Sequence, residues 1–374
     1  MKKLNVGILF GGKSGEHEVS IVSALSVYHA LDKQKYNVTL IGIDPAGRWL
    51  LPDQARLLAQ SENPRLIKLN QEKATVSLLP YTHAQQLISV DSSVSTFTHL
   101  DVIFPVLHGT NGEDGTVQGL LELAQIPFIG SGVLGSALCM DKEVSRRLLK
   151  AAGIPVVPSM SVHSEEYSEA PDAFLAKAER LFGYPYFVKP VNMGSSVGVH
   201  KVKDRASARK LVDDAFQYDL KVLFEKGVAA RELECSVLGN ETPRASIVGE
   251  IIPRHEFYSY EAKYMDDNGA ELCIPAKNLS PELAIKVRDL AILAFKVLDC
   301  RGLARVDFFL DRETGELFLN ELNTLPGFTK ISMYPKLWEA SGLPYSALLD
   351  ELIQLALTYS TKKAALKTSY EPQT

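Results

Sequence analysis

Three oxygen-bearing side chains, Asp307, Glu321 and Asn323, stand on two runs rich in Phe, Val and Leu that flank the segment DRETG. Asp311 can open a turn there and Gly315 can take positive φ, so the stretch reads as a β-hairpin. Alternation sends Arg305, Asp307 and Phe309 to one face and Val306, Phe308 and Leu310 to the other. If Leu310 closes the loop opposite Glu316, Arg305 lies across from Glu321, with Asp307 on its diagonal. Diagonal partners sit about 7–8 Å apart at Cα, so both carboxylates can converge on one cation while Asn323 adds a neutral oxygen. So sparse a hard-oxygen set suits Mg²⁺ or Mn²⁺, which completes its shell with water and substrate phosphates. Taken alone, the hairpin also reads as an exposed element with an Arg–Glu rim pair. The Pro-Gly turn TLPGFT follows at once and is a means of aiming backbone N–H groups at the same place.

Three further constellations carry charge or polar groups. Lys189 precedes PVNMGSSVGV, a loop whose amides and Ser195 and Ser196 hydroxyls could wrap phosphate oxygens, with Lys142 and Lys189 supplying positive charge. By itself such a loop is equally a plain hairpin. Upstream, HGTNGEDG is a glycine-rich loop that allows close backbone approach, with His108 at its mouth where a strand ends. A lone histidine is more often structural. Glu16 and Glu18 open a helix, where an acidic residue is either a favourable dipole partner or a site for an ammonium group.

The elements that must position these groups follow from apolar periodicity. A strand at 4–10, a tight glycine turn, a helix at 16–31 and a strand at 37–43 form a β–α–β unit ending in Asp44. That unit admits a dinucleotide-binding reading with Asp44 on a ribose. Against it, GGKSGE is not a full G-x-G-x-x-G, and Glu16 and Glu18 put negative charge where a pyrophosphate must sit. Residues 50–100 carry no motif. Strands are expected at 101–107, 154–158, 186–189, 221–227, 231–239 and 246–252, and helices at 116–124, 142–152, 171–182, 336–341 and 345–358. A helix at 281–298 shows Leu283, Val287, Leu290 and Leu293 as its core stripe, and the Lys/Ala/Ser/Thr tail is expected to fray. The stretch HEFYSYEAKYMDDNGAELCIPA has no steady period and is too long for an idle connection, so it reads as a lid.

Composition sets outer bounds. A chain of 374 residues exceeds one small core and suggests two or three domains. Net charge of −5 with dispersed Lys and Arg argues against nucleic acid or a membrane surface as the main partner. No apolar run approaches the ~20 residues that span a bilayer, and no cleavage-type site follows the start. The four cysteines have no paired spacing, so buried reduced thiols are expected.

With its R-x-D, N-E-x-N and P-G elements, the hairpin resembles the metal-binding end of the ATP-grasp ligases. From about residue 6 to 355 the chain resembles the D-alanine–D-alanine ligase family. That resemblance implies an α/β protein with an ATP-grasp fold preceded by an open parallel-sheet N-terminal domain. The divisions expected are 1–130, 131–230 and 231–374. It further implies ATP and Mg²⁺ (or Mn²⁺) as cofactors and D-alanine as substrate, condensed through an acyl phosphate for peptidoglycan synthesis. A cytoplasmic homodimer is expected. Residue by residue, the resemblance implies that Glu16 holds the first ammonium and that His108 lies near the first D-alanine. Ser195 closes over substrate, and Glu225 and Glu232 meet adenine and ribose, with Lys226 between them. Arg305 and the Gly327 N–H stabilise an oxyanion, and Ser332 binds the second carboxylate. Glu261, Lys263 and Tyr264 belong to the closing loop, where ligases that use D-lactate carry histidine in place of Tyr264. Other classes stay open: another ATP-grasp ligase, including a D-alanine–D-lactate ligase, a nucleotide-dependent binding protein, and a nicotinamide oxidoreductase.

Overall fold

The computed structural model describes residues 2–52, 75–80, 87–89, 97–253, 270–329 and 331–367. The N-terminal sheet runs in the order Trp49–Leu50, Tyr36–Ile43, Leu4–Gly11, Val102–Val106. Its three long strands are parallel, and both faces are covered, as their unbroken apolar runs require. One face packs Val6, Ile8 and Phe10 against Ile21, Ala24 and Val27 of the helix His17–Ala30. The same face also receives Leu348, Leu349, Leu352 and Ile353 from the C-terminal helix Tyr345–Ala364. Leu9, Ile41 and Ile103 point the other way, onto Val117 and Leu121 of the helix Thr116–Leu123. In the motif-free stretch, Val76–Leu78, Leu87–Ser89 and Phe97–Thr98 form a small antiparallel sheet.

A second sheet, in the order His200–Val202, Tyr186–Pro190, Lys221–Lys226, Ser159–His163, is antiparallel throughout. The helices Pro171–Phe182 and Arg205–Ala215 share its core. The strand expected at 154–158 is instead Ser159–His163. Pro155 and Pro158 have no N–H to give a ladder, and Val156 makes only an isolated bridge to Leu319.

The third sheet is also antiparallel, in the order Ala270–Cys273, Arg244–Pro253, Ala230–Gly239, Gly302–Asp311, Leu317–Asn323. Against it lies the helix Pro281–Val297, whose buried stripe is Val287, Ala291, Ala294 and Phe295. Leu293 is 41% exposed, so it leaves the expected stripe. The true line runs i, i+4, i+7, i+8 and tilts away from it. The tail expected to fray from residue 359 stays helical to Ala364. There Lys362 pairs with Glu241 at 2.8 Å and Lys363 with Glu122 at 2.5 Å. All four cysteines are buried and unbonded, with Cys139 Sγ 3.4 Å from Cys300 Sγ. No described helix is long and apolar enough to cross a membrane.

Candidate active site

Every expected site residue that the structure describes lines one cavity of about 1910 Å³. Glu261, Lys263 and Tyr264 lie outside the described residues. Strands of the second and third sheets form much of its wall, and the N-terminal sheet contributes through the helix His17–Ala30 and the loop that carries His108 and Glu113.

The hairpin is present, but its register differs from the expectation. Leu310 pairs with Leu317 rather than Glu316, Asp307 sits directly across from Glu321, and Arg305 faces Asn323. The cause is a bulge between Asp307 and Phe308 that leaves Asn320 as an extra residue on the second strand. Leu317, Leu319 and Leu322 are buried, whereas Phe318, Asn320, Glu321 and Asn323 are only partly so. Strict alternation from Leu317 would turn Glu321 into the core, and the extra residue returns it to the cavity face. A signal existed: the two adjacent polar residues Asn320 and Glu321 break the period of two.

Arg305 binds Asp307 through Nε and Nη2, both at 2.7 Å, and its Nε also lies 3.0 Å from Glu234 Oε2. The Asn323 amide donates to Asp307 Oδ2 at 3.0 Å, and Lys142 Nζ lies 3.9 Å from Glu321 Oε2. Two carboxylates directly opposed across a ladder repel each other unless cations lie between or beside them, so this donor set fits a hard divalent ion. No three His, Cys, Asp or Glu side chains among the described residues cluster as a metal site. A cation here would therefore take two carboxylates, the Asn323 amide oxygen once the amide is turned, and ligands from outside the protein. Glu234 was not singled out from the sequence. It stands opposite Asp307 on the neighbouring strand, and the pairing of those strands is long-range information.

Lys142 heads the helix Lys142–Ala151, whose N-cap Asp141 accepts from the Glu143 and Val144 amides. Its ammonium donates to Met193 O at 2.5 Å, tying helix to loop, and burial lowers its pKa. Within that loop Ser195 (φ 48°) and Ser196 (φ 61°) are left-handed, a strained setting for residues other than glycine. Lys189 Nζ is 2.6 Å from Glu225 Oε1, and Arg146 grips the other carboxylate oxygen. Burial would raise the Glu225 pKa, but the Arg146 and Lys189 cations outweigh it and hold the carboxyl below its ordinary range. Arg146, missed in the sequence, lies one turn after Lys142 and thus on the same helix face. Lys226 is exposed at the cavity rim and Glu232 is half-buried across from Phe309.

Glu16 is 8% exposed at the N-cap of its helix and accepts a hydrogen bond from the Ser195 hydroxyl. Gly109, at φ 74°, lets the glycine-rich loop close on this carboxylate, because a Cβ there would stand 3.0 Å from Glu16 Oε2. His108 Nδ1 donates to Leu325 O at 2.9 Å. Burial lowers the His108 pKa and keeps the ring neutral, and its buried Nε2 has no hydrogen-bond partner among the described residues. Ser332 stands at the N-cap position of the helix Met333–Ala340, and its Oγ turns back to accept from the Thr329 amide at 3.0 Å. Gly327 packs on that hydroxyl, since a Cβ would lie 2.8 Å from it. The rival ribose ligand Asp44 is fully buried and committed to its own turn, accepting from the Ala46 and Arg48 amides and from Arg48 Nε at 2.7 Å.

Comparison with known proteins gives the same answer along the whole chain. The model of the D-ala D-ala ligase N-terminus matches residues 5–131, and that of the C-terminus matches residues 148–354. A D-alanine--D-alanine ligase of Shouchella clausii is 50% identical over 369 residues, covering 99% of each chain. The D-alanine--D-alanine ligase A of Escherichia coli K12 is 47% identical over 99% of this chain and 100% of its own. Among solved structures, the D-alanine-D-alanine ligase of Coxiella burnetii superposes with a TM-score of 0.84, at 38% identity over 97% of both chains. The VanG D-Ala:D-Ser ligase of Enterococcus faecalis does so at 0.82, with 33% identity over 95% of this chain and 100% of that one. Identity of this extent, on an ATP-grasp frame whose sheets converge on one charged cavity, makes the chain a member of the D-alanine–D-alanine ligase family.

Proposed function

We propose that this protein joins two D-alanine molecules, converting ATP + 2 D-alanine to D-alanyl-D-alanine + ADP + phosphate for peptidoglycan precursor synthesis. The observation that carries the reading is the convergence of Glu16, Lys142, Lys189, Arg305, Asp307 and Glu321 on one cavity, in a chain about 50% identical to named ligases over its full length. Glu16 holds the ammonium of the first D-alanine, beside His108. A carboxylate oxygen of that molecule attacks the γ-phosphorus of ATP, the bond to the ADP oxygen breaks, and an acyl phosphate forms. Lys142 and Lys189 face the phosphates, and Ser195 and Ser196 close over them. Asp307, Glu321 and Asn323 would hold Mg²⁺ or Mn²⁺, which when bound neutralises phosphate charge. The second D-alanine, its carboxylate near Ser332 and its amine freed of one proton, attacks the acyl carbon. Arg305 and the Gly327 N–H stabilise the oxyanion, and the carbon–oxygen bond to phosphate then breaks. Glu225, Lys226, Glu232 and Lys263 serve the nucleoside end. Domains at 1–130, 131–230 and 231–374, a homodimer and a cytoplasmic setting belong to the same proposal.

Coupled ADP release with a panel of D- and L-amino acids and D-lactate tests it. D-alanine as the preferred substrate at both positions supports the reading. An L-amino acid preference, or no D-alanine-dependent ADP release, overturns it.

A further inference from the structure

Glu113 belongs to the glycine-rich loop but has no role in the chemistry above. Its Oε2 accepts the Gly109 amide at 2.8 Å within the loop, and its Oε1 accepts the Leu325 amide at 3.0 Å, a contact 212 residues away in sequence. Leu325 is gripped a second time, because its carbonyl accepts from His108 Nδ1 at 2.9 Å. Both polar groups of one residue in the Pro-Gly turn are thus fixed by neighbours on an N-terminal loop. Three residues later the turn is anchored again. The Phe328 amide donates to Ser23 Oγ at 3.3 Å, and its carbonyl accepts from the Tyr345 hydroxyl at 2.9 Å. Between these anchors lie Pro326, which has no N–H and a fixed φ, and Gly327. A stiff two-residue span between two fixed ends leaves the Gly327 N–H little angular freedom.

We infer that Glu113 is a positioning residue that aims the Gly327 N–H by holding the Leu325 amide. The inference rests on the ligase reading above, in which that N–H meets the oxyanion. A donor acts in the transition state only when it is already aimed, and a displacement of about 1 Å costs on the order of 10²-fold in rate. Glu113 also lies close enough to Glu16 for that negative charge, after burial, to help push its own carboxyl up to about 8. The same side chain therefore joins the first amino-acid subsite to the turn that serves the acyl carbon.

Glu113→Ala and Glu113→Gln would each be compared with the unmodified protein in two assays. Dipeptide formation reads the whole reaction. Scrambling of labelled oxygen between the β,γ-bridge and the non-bridge positions of ATP, followed in the same D-alanine mixture and referred to dipeptide release, reads reversible acyl-phosphate formation. The expected result for Glu113→Ala is a loss of roughly 10–100-fold in kcat for dipeptide. Scrambling and KM for ATP should stay within about 3-fold, as expected when only a transition-state interaction is removed. Glu113→Gln keeps one acceptor oxygen and should fall between, and it decides the matter if the Ala variant does not fold. Equal losses in both assays would mean a merely structural residue and would overturn the inference, as would unchanged dipeptide synthesis. Failure of the unmodified protein to make dipeptide would instead sink the ligase reading, so the two failures are separable.

Discussion

At the scale of single residues, the cavity is a problem in charge. Asp307 and Glu321 face each other across a ladder with Arg305 and Lys142 at their flanks. Asp307→Asn or Glu321→Gln removes charge from the proposed cation and nothing from the core. Each should cut turnover by roughly 10²-fold or more, with partial rescue at raised Mg²⁺ and an unchanged melting temperature. Steady-state rates across a Mg²⁺ series check this, and normal turnover in either variant would remove the metal assignment. Glu225 is a different case, since its carboxylate is buried between Arg146 and Lys189. Glu225→Gln leaves two cations uncompensated and should cost about 3–5 kcal/mol in urea denaturation. Its pKa in the folded protein is depressed below the ordinary 4.5, so the contribution is complete above that pH and is lost as pH falls through the lower folded value. Stability of the unmodified protein should therefore drop more steeply in acid than that of the Gln variant. In the proposed reaction Tyr264, which lies outside the described residues, is assigned to nucleophile choice. A tyrosine with a pKa near 10 stays neutral at pH 7, whereas a histidine near 6.5 is partly cationic and repels the ammonium of D-alanine. Tyr264→His should introduce D-lactate use that grows as pH falls toward 6, read as the ratio of depsipeptide to dipeptide. A pH-independent ratio would show that charge at this position does not discriminate.

At the scale of elements, the bulge decides which way the ligands point. Deleting Asn320 removes the extra residue, and in the strict alternation that results Glu321 and Asn323 stay on the cavity face while Leu319 and Leu322 stay in the core. The expected outcome is a hairpin that stays folded and keeps part of its turnover, because Leu319 and Leu322 keep their places beside Val306 and Glu321 still faces Asp307. Loss of the cooperative melt would show that the bulge itself is needed for the fold. The same hairpin marks where sequence reasoning stops. Its turn, its apolar face and its polar side chains follow from local composition, and so do the N-cap Asp141 and the helices at 171–182 and 345 onward. Register does not, because it is set by pairing with Ala230–Gly239 and by one extra residue. Arg146, Glu234 and Glu113 were overlooked for a related reason. Each acts on a partner far along the chain, and each alone looks like an ordinary solvated charge. Leu293 erred in the opposite sense, an apolar residue at helical spacing that the tilt of its helix leaves in water.

At the scale of the whole molecule, the beginning and the end of the chain share one core. Leu348, Leu349, Leu352 and Ile353 complete the face of the sheet formed by Leu4–Gly11 and its neighbours, and Lys35 and Tyr36 both bind Asp350. A chain ending at residue 342 should therefore leave that face covered only by the helix His17–Ala30. Dye binding to exposed apolar surface should rise, the cooperative melt should weaken, and a peptide of residues 343–367 added back should reverse both. An unaltered melt would show that the first sheet is self-sufficient. During synthesis the first strands and the helix His17–Ala30 emerge early, yet the second helix on that face, Tyr345–Ala364, is made about 240 residues after the strand Val102–Val106. At about 5–20 residues per second that delay is on the order of ten to fifty seconds. For that interval a nascent chain carries a sheet with one apolar side only half covered, and its yield in the cell depends on what shields the open half until the helix Tyr345–Ala364 is made.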